Sequence, residues 1–237
     1  MKLSAPIYRL KRQARLLSRA QAIPLHQALN AIARNEGFDS WSLLAHSVSH
    51  IQPGKALIDA LQPGDLMLLG ARPGHGKTLL GLEMAVAAMK TGRRGAFFTL
   101  EFAETDIAKS FAAIGEAPEA FAERFYFDAS DDIDADYVIA RLGVSPPGTI
   151  VVIDYLQLLD QKRENPELSE QVKTLKTFAQ ARGAIIVFIS QIDRRFDPAQ
   201  RPLPDASDIR LPNPLDLTLF DKTCFLHDGQ ISIGPAG

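Results

Sequence analysis

The sequence predicts an α/β fold with a mostly parallel central sheet, preceded by a small helical bundle. Three observations carry that expectation. From about residue 56 onward, short apolar runs alternate with helix-length segments, the pattern of strand–crossover–strand units. At one such junction, Asp65 to Ala85, a glycine-rich loop separates a strand from a helix. The charge is also unevenly spread: residues 1–50 carry seven Lys/Arg against Glu36 and Asp39, a net of +5, which leaves −7 on the rest. The expected division is therefore a small basic helical domain, 1–50, and a larger α/β domain, 51–237.

In the first part, Ile7, Leu10, Ala14 and Leu17 fall at helical spacing with Arg and Lys between them. A second helix is expected to start near Pro24, run through Leu25, Ala28, Leu29 and Ile32, and stop at Gly37. Asp39 or Ser40 can cap a third containing Trp41, Leu44 and Ala45, with Trp41 as core anchor of the bundle. The basic first helix is either a nucleic-acid or partner surface or a solvated face, and the pattern favours the solvated face. His26, His46 and His50 lack a convincing set of metal-ligand partners. Residues 47–55, with Pro53-Gly54, read as a linker.

In the second part the expected strands are Leu66–Leu69, Ala96–Leu100, Arg124–Phe127, Thr149–Asp154, Ala184–Ser190, Thr223–Leu226 and Gln230–Ile233. The expected helices are Lys77–Lys90, Glu104–Ala113, Ala135–Leu142 and Leu168–Arg182. The Pro-rich polar stretch from Arg194 to Pro214 is long for a loop inside a compact domain, a sign of function or mobility.

Composition narrows the classes. A hydrophobic content of 46% and 23% charged residues are ordinary globular values. No run approaches the ~18 apolar residues of a membrane span, and no apolar stretch follows the basic N-terminus as in a secretory signal. The lone Cys224 excludes an internal disulfide and fits a reducing, cytoplasmic setting; within its apolar run it reads as a small core residue. A net charge of −2 argues against a body that coats nucleic acid.

The chemistry lies at strand ends, where open α/β sheets bind ligands. Ala71, Arg72, Pro73, Gly74, His75 and Gly76 form a loop whose backbone N–H groups can converge on phosphates, aided by the N-terminus of the helix that follows. Lys77 can reach β/γ-phosphates and the Thr78 hydroxyl can ligate Mg²⁺. The strict pattern has glycine at the position of Ala71; Gly70 and Gly74 are expected to supply flexibility instead. The apolar run Thr149–Asp154 ends in a carboxylate able to hold Mg²⁺ or its water shell, the alternative being a buried Asp capping a turn. Glu101 follows Ala96–Leu100 and is placed to orient or deprotonate an attacking water, or is an ordinary strand-end acid. Gln191 follows Ile185–Ser190 and can sense a γ-phosphate, or serves only in a turn.

Leu61-Gln-Pro-Gly-Asp65, Ala71–Thr78, Leu100-Glu101, Ile153-Asp-Tyr-Leu-Gln-Leu-Leu159 and Ser190-Gln-Ile-Asp-Arg194 together resemble the RecA-like ATPase domain of DnaB-type replicative helicases. The resemblance covers roughly residues 56–233, and the Ile-Asp-Tyr-Leu-Gln-Leu string is its most specific part. It implies a RecA-like P-loop NTPase fold and ATP with Mg²⁺ as cofactors. Lys77 and Thr78 would bind phosphate and metal, Glu101 would be the catalytic glutamate, Asp154 the second acid at the metal, and Gln191 the sensor. It also implies a homo-oligomeric, hexameric ring with the loop after Gln191 near single-stranded DNA.

The departures are equally specific. The Glu101–Asp154 interval is shorter than is usual in the family, and a small basic bundle stands where the family has a large helical N-terminal domain. The family's late Lys/Arg-containing hairpin corresponds to Phe225–Ile233, which holds neither Lys nor Arg. A trans-acting arginine is worth ~10³–10⁵ in rate, so slow hydrolysis is expected unless another Arg substitutes. Arg194, Arg195, Arg201 and Arg210 are the candidates, as substitute fingers, DNA contacts or loop salt bridges. With Asp193, Asp197, Asp205 and Asp208 among them the loop is neutral, so its DNA affinity alone should be weak. Two functions follow: a DnaB-like motor ATPase on single-stranded DNA, or a non-motor ATP switch that controls assembly or docks a protein partner through residues 1–50. A nucleic-acid adaptor with a decayed ATPase site fits less well, because Lys77, Thr78, Glu101, Asp154 and Gln191 are all present.

Overall fold

The computed structural model describes residues 3–5, 7–41, 43–44, 53–143, 145–160, 165–211, 213–227 and 230–236. The chain separates into two units, Met1–Gln52 and Pro53–Gly237.

In the first unit, α1 (Ile7–Gln21) and α2 (Leu25–Asn35) follow one another closely and pack together, with Pro24 leading into the second. Pro24 has φ −56°, which suits the residue before a helix. After α2 the chain reverses at Gly37 (φ 85°), where the Phe38 N–H reaches back to the Ala33 carbonyl. The Ser40 hydroxyl then accepts from the Leu43 N–H, and the Asn30 side chain accepts from the Trp41 N–H. Leu10, Ala33 and Leu44 are fully buried. Trp41, the expected anchor, packs beside them but stays partly exposed. Ala45, His46, His50 and the 47–52 part of the expected linker lie outside the described residues.

The second unit is built on seven strands. β1 (Leu66–Ala71), β2 (Gly95–Thr99), β3 (Phe125–Asp128), β4 (Ile150–Asp154), β5 (Ile185–Gln191), β6 (Lys222–His227) and β7 (Gln230–Pro235) lie in the order β3-β2-β4-β5-β1-β6-β7. All neighbours are parallel except β6 and β7. The central strands are apolar on both faces because helices cover both. Met67, Leu69, Val152, Val187 and Ile189 face one layer; Leu66, Leu68, Val151, Ile153, Ile186 and Phe188 face the other. The first layer is completed by α3 (Pro53–Asp59), α4 (Lys77–Lys90) and α5 (Glu104–Ala113), the second by α6 (Ala135–Leu142) and α7 (Leu168–Arg182). Among the described residues, no helix is long and apolar enough to cross a membrane.

Most expected strands shift by a residue or two at an end, and two departures bear on packing and the site. Pro53-Gly54 opens α3 rather than lying in a linker. Proline is tolerated in a first helical turn, and Gly54 lets α3 lie directly on α4: a Cβ there would stand 2.6 Å from the Glu83 carbonyl carbon. β1 runs two residues past Leu69, so Gly70 and Ala71 belong to the sheet. Cys224 is fully buried in β6, and burial pushes its thiol up to about 12, so it is an inert core residue as expected.

Candidate nucleotide site at the carboxyl edge of the sheet

The site begins where β1 ends. Ala71 is fully buried and registered between Gln191 on one side and Leu226 on the other, so a side chain as small as Ala is accommodated as the last strand residue. Gly70 matters for packing rather than flexibility: a Cβ would lie 2.9 Å from the Phe225 ring and 3.0 Å from Ile192. Backbone freedom comes instead from Gly74 (φ 80°) and Gly76 (φ 90°), both in the left-handed region. Nothing lies within 4 Å of a Cβ at Gly74, so that glycine answers to conformation alone. Pro73 and Gly74 are exposed, and Gly76 sits at the start of α4. The loop thus presents the N-terminus of a buried fourteen-residue helix to the carboxyl edge of the sheet.

Four side chains meet there. The Lys77 ammonium lies 3.8 Å from a Glu101 oxygen and 3.7 Å from Asp154 Oδ1. The Thr78 hydroxyl donates to Asp154 Oδ2 at 2.6 Å. Asp154 is fully buried, and its Oδ1 has no hydrogen-bond partner among the described residues. Burial raises the Asp154 carboxyl above its usual range; the Lys77 charge and the Thr78 hydrogen bond pull against that, while Glu101 adds to it. A buried carboxylate with an open oxygen beside a hydroxyl is a hard-oxygen donor pair, which fits Mg²⁺ in chemistry. Glu101 is exposed and stands two residues beyond β2 rather than at its end; its N–H is held by the buried Thr99 hydroxyl at 3.0 Å. A carboxylate there is open to water, and one partner of Lys77 is a group a phosphate can displace.

Gln191 ends β5 opposite Ala71, next to the phosphate loop, and begins the Ile192–Arg210 loop. The base of that loop is a short antiparallel closure. Ile192 pairs with Ile209, the Asp193 N–H reaches the Asp208 carbonyl at 2.7 Å, and the Arg210 N–H reaches the Gln191 carbonyl at 2.8 Å. The four loop arginines are unequal. Arg195 pairs with Asp193 at 3.2 Å, and Arg201 Nη2 donates to both oxygens of Asp208 at 2.9 and 3.0 Å while Nη1 pairs with Asp205. Arg194 and Arg210 are exposed and carry no salt bridge among the described residues.

Sequence reasoning missed what holds this loop to the site. From the phosphate loop, Arg72 Nη2 donates to the Arg194 carbonyl at 2.9 Å and to the Phe196 carbonyl, and the guanidinium stands 5.3 Å from the Phe196 ring centre. Gln157, just beyond the end of β4, donates to the Arg210 carbonyl at 2.7 Å and to Ser190 at 3.4 Å. His75 stacks on His227 at 4.7 Å. Only the apolar Phe196 in an otherwise Arg/Asp/Pro-rich stretch could have signalled the first of these.

The family model for the DnaB-like helicase C-terminal domain matches residues 49–121 and 137–215. The chain belongs to that family. Among curated relatives, a probable plasmid replicative DNA helicase of Chlamydia trachomatis is 27% identical over 181 residues, covering 63% of this chain and 40% of the relative. The replicative DNA helicase DnaB of Geobacillus stearothermophilus is 28% identical over 186 residues, covering 65% and 41%. That of Synechocystis is 27% identical over 213 residues, covering 77% and 23%. The chain therefore spans less than half the length of these relatives. Among solved structures, one ATPase domain matches with a TM-score of 0.59 at 19% identity, covering 78% of this chain and 82% of that one. A DnaB-like replicative helicase, solved with attention to its interactions with primase, matches at 0.60 and 15% identity, covering 96% and 72%. These likenesses establish a RecA-like fold for this DnaB-like chain.

Proposed function

We propose that the chain is a DnaB-like ATPase that binds ATP with Mg²⁺ at Lys77-Thr78 and hydrolyses it. The observation that carries this reading is the meeting of Lys77, Thr78, Glu101 and Asp154 at the N-terminus of α4, directly after a loop with two left-handed glycines. Arriving phosphate draws Lys77 from its two carboxylates. Thr78 and Asp154 would hold the cation, which would supply charge neutralisation to the phosphate. Glu101, open to solvent and freed of Lys77, orients the attacking water and takes its proton. Gln191, registered against Ala71, reads the γ-phosphate. The expected partners are single-stranded DNA, a second copy of the chain in a ring and a protein at residues 1–50, in a cytoplasmic setting.

A second reading is a non-motor ATP switch. It is favoured by the commitment of Arg195 and Arg201 to carboxylates of their own loop, which leaves Arg194 and Arg210 as the candidates for a trans-acting role. The test is nucleotide binding and steady-state turnover with Mg²⁺, with and without single-stranded DNA. Lys77→Ala should abolish binding, and Glu101→Gln should bind ATP yet lose turnover by at least about 10². Wild-type protein that binds no Mg²⁺-nucleotide overturns the proposal. Turnover strongly stimulated by DNA supports the motor; slow, DNA-indifferent turnover supports the switch.

A further inference from the structure

We propose that Arg72 is a positioning residue that releases the Arg194–Phe196 segment when nucleotide occupies the phosphate loop. This rests on the nucleotide-binding reading above and adds a path separate from Gln191. Arg72 is the first residue after β1, at the entrance to the phosphate loop. Its guanidinium spends Nη2 on two neutral carbonyls, those of Arg194 and Phe196, and lies over the Phe196 ring. A planar fork that hydrogen-bonds and stacks at once is a role lysine cannot fill.

From the far side of the same loop, His75 stacks on His227 with the rings 17° apart, and His227 meets the Phe196 ring nearly perpendicular at 5.3 Å. Arg72 and His75 flank Pro73-Gly74, so both shoulders of the phosphate loop converge on one ring. Phe196 is only 3% exposed although its neighbours in sequence are charged and exposed. Beyond it, Arg201 approaches the same ring at 5.9 Å while clamping Asp205 and Asp208, which ties the distal loop into the cluster.

The arrangement has a second state built in. Arg72 Nε is buried and has no hydrogen-bond partner among the described residues. An unmet buried donor is costly, and an anionic phosphate oxygen is a stronger acceptor than a neutral carbonyl. Nucleotide therefore competes with Arg194 and Phe196 for the guanidinium. The left-handed Gly74, with open space around it, lets the loop move. The segment set loose carries Arg194, the exposed loop arginine nearest the clamp.

Hydrogen exchange of the full chain tests this, with binding of a fluorescent ATP analogue measured in parallel. In wild type, peptides covering 193–201 should exchange at least about fivefold faster with saturating non-hydrolysable ATP analogue and Mg²⁺, the effect of losing one of the two Arg72 hydrogen bonds at ordinary net strength, and more when both are lost. Arg72→Lys and Phe196→Leu should exchange fast with or without nucleotide, whereas Phe196→Tyr, which keeps the ring, should respond like wild type. Binding intact with exchange unchanged or slowed overturns the release alone. Slow, nucleotide-responsive exchange in Arg72→Lys overturns it as well. Absence of binding in wild type overturns the nucleotide reading and the release together.

Discussion

At the scale of single residues, burial decides more than charge. Asp154 is kept fully out of water with one oxygen that has no hydrogen-bond partner among the described residues, a cost that a divalent cation would offset. Glu83 on α4 is a partly buried acid, away from the four side chains of the site. Burial raises its carboxyl from 4.5 to about 7, against a hydrogen bond from the Gly54 backbone that lowers it. The sign follows from proton binding. Between 4.5 and about 7 the folded state holds the proton more tightly than the unfolded state, so stability falls as pH rises through that window. Glu83→Gln should flatten the fall and leave the protein more stable at pH 7.5, by at most about 3 kcal/mol. Urea melts of both proteins at pH 5 and 7.5 check it; parallel pH dependences would show that Glu83 is not responsible.

At the scale of elements, α4 is the hub. Its N-terminus faces the phosphate loop, Gly81 lets it approach β4 and β5, and Glu83 and Met84 receive α3. A Cβ at Gly81 would lie 3.0 Å from Ile189 and 3.1 Å from Val152, side chains with some room to give. At Gly54 the obstacles are the Glu83 carbonyl carbon at 2.6 Å and the Met84 nitrogen at 2.8 Å, which are helix backbone. Gly54→Ala should therefore push α3 off α4 and cost about 1–3 kcal/mol, the usual range for overpacking. Thermal melting would show the loss, and an unchanged midpoint would mean that α3 shifts freely. The same substitution should spare the 193–201 exchange response, because α3 and the Arg72 clamp touch different parts of the unit.

At the scale of the whole molecule, the charge split bears on the proposed nucleic-acid binding. The α/β part carries the negative balance, and the Ile192–Arg210 loop is neutral. Arg195 and Arg201 are already spent on aspartates, so Arg194 and Arg210 are the loop's remaining cations. Binding of single-stranded DNA through this loop should be weak and shallow in salt. Each phosphate contact contributes about −0.7 to the slope of log K against log salt. Arg194→Ala and Arg210→Ala should each flatten the slope by about that amount, while Arg195→Ala should leave it nearly unchanged. Fluorescence anisotropy over a salt series measures this. A slope that survives both substitutions would shift attention to α1, where Lys11, Arg12, Arg15 and Arg19 are exposed.

Much of this protein was legible before any coordinates. The helix after the glycine loop runs from Lys77 to Lys90, and the helix opposite from Leu168 to Arg182, as their spacing predicts. Parallel strands buried on both faces must be apolar runs, and such runs are visible one residue at a time. The Lys77-Thr78 pair and the acids at 101 and 154 were legible for a related reason: each lies at or within two residues of the end of a readable element. Tertiary structure alone decided the rest. Pro53-Gly54 signals a turn locally and becomes a helix only because α4 offers a surface that the missing Cβ can reach. Gly70 matters because Phe225 and Ile192 close over it. The Arg72 clamp joins residues 122 positions apart in the chain. Such contacts leave no period in a sequence, since a side chain's partner across the fold is set by which strands lie side by side. Periodicity and motif therefore determined the elements and which side chains stand near their ends, and the sheet order determined what those side chains are fastened to.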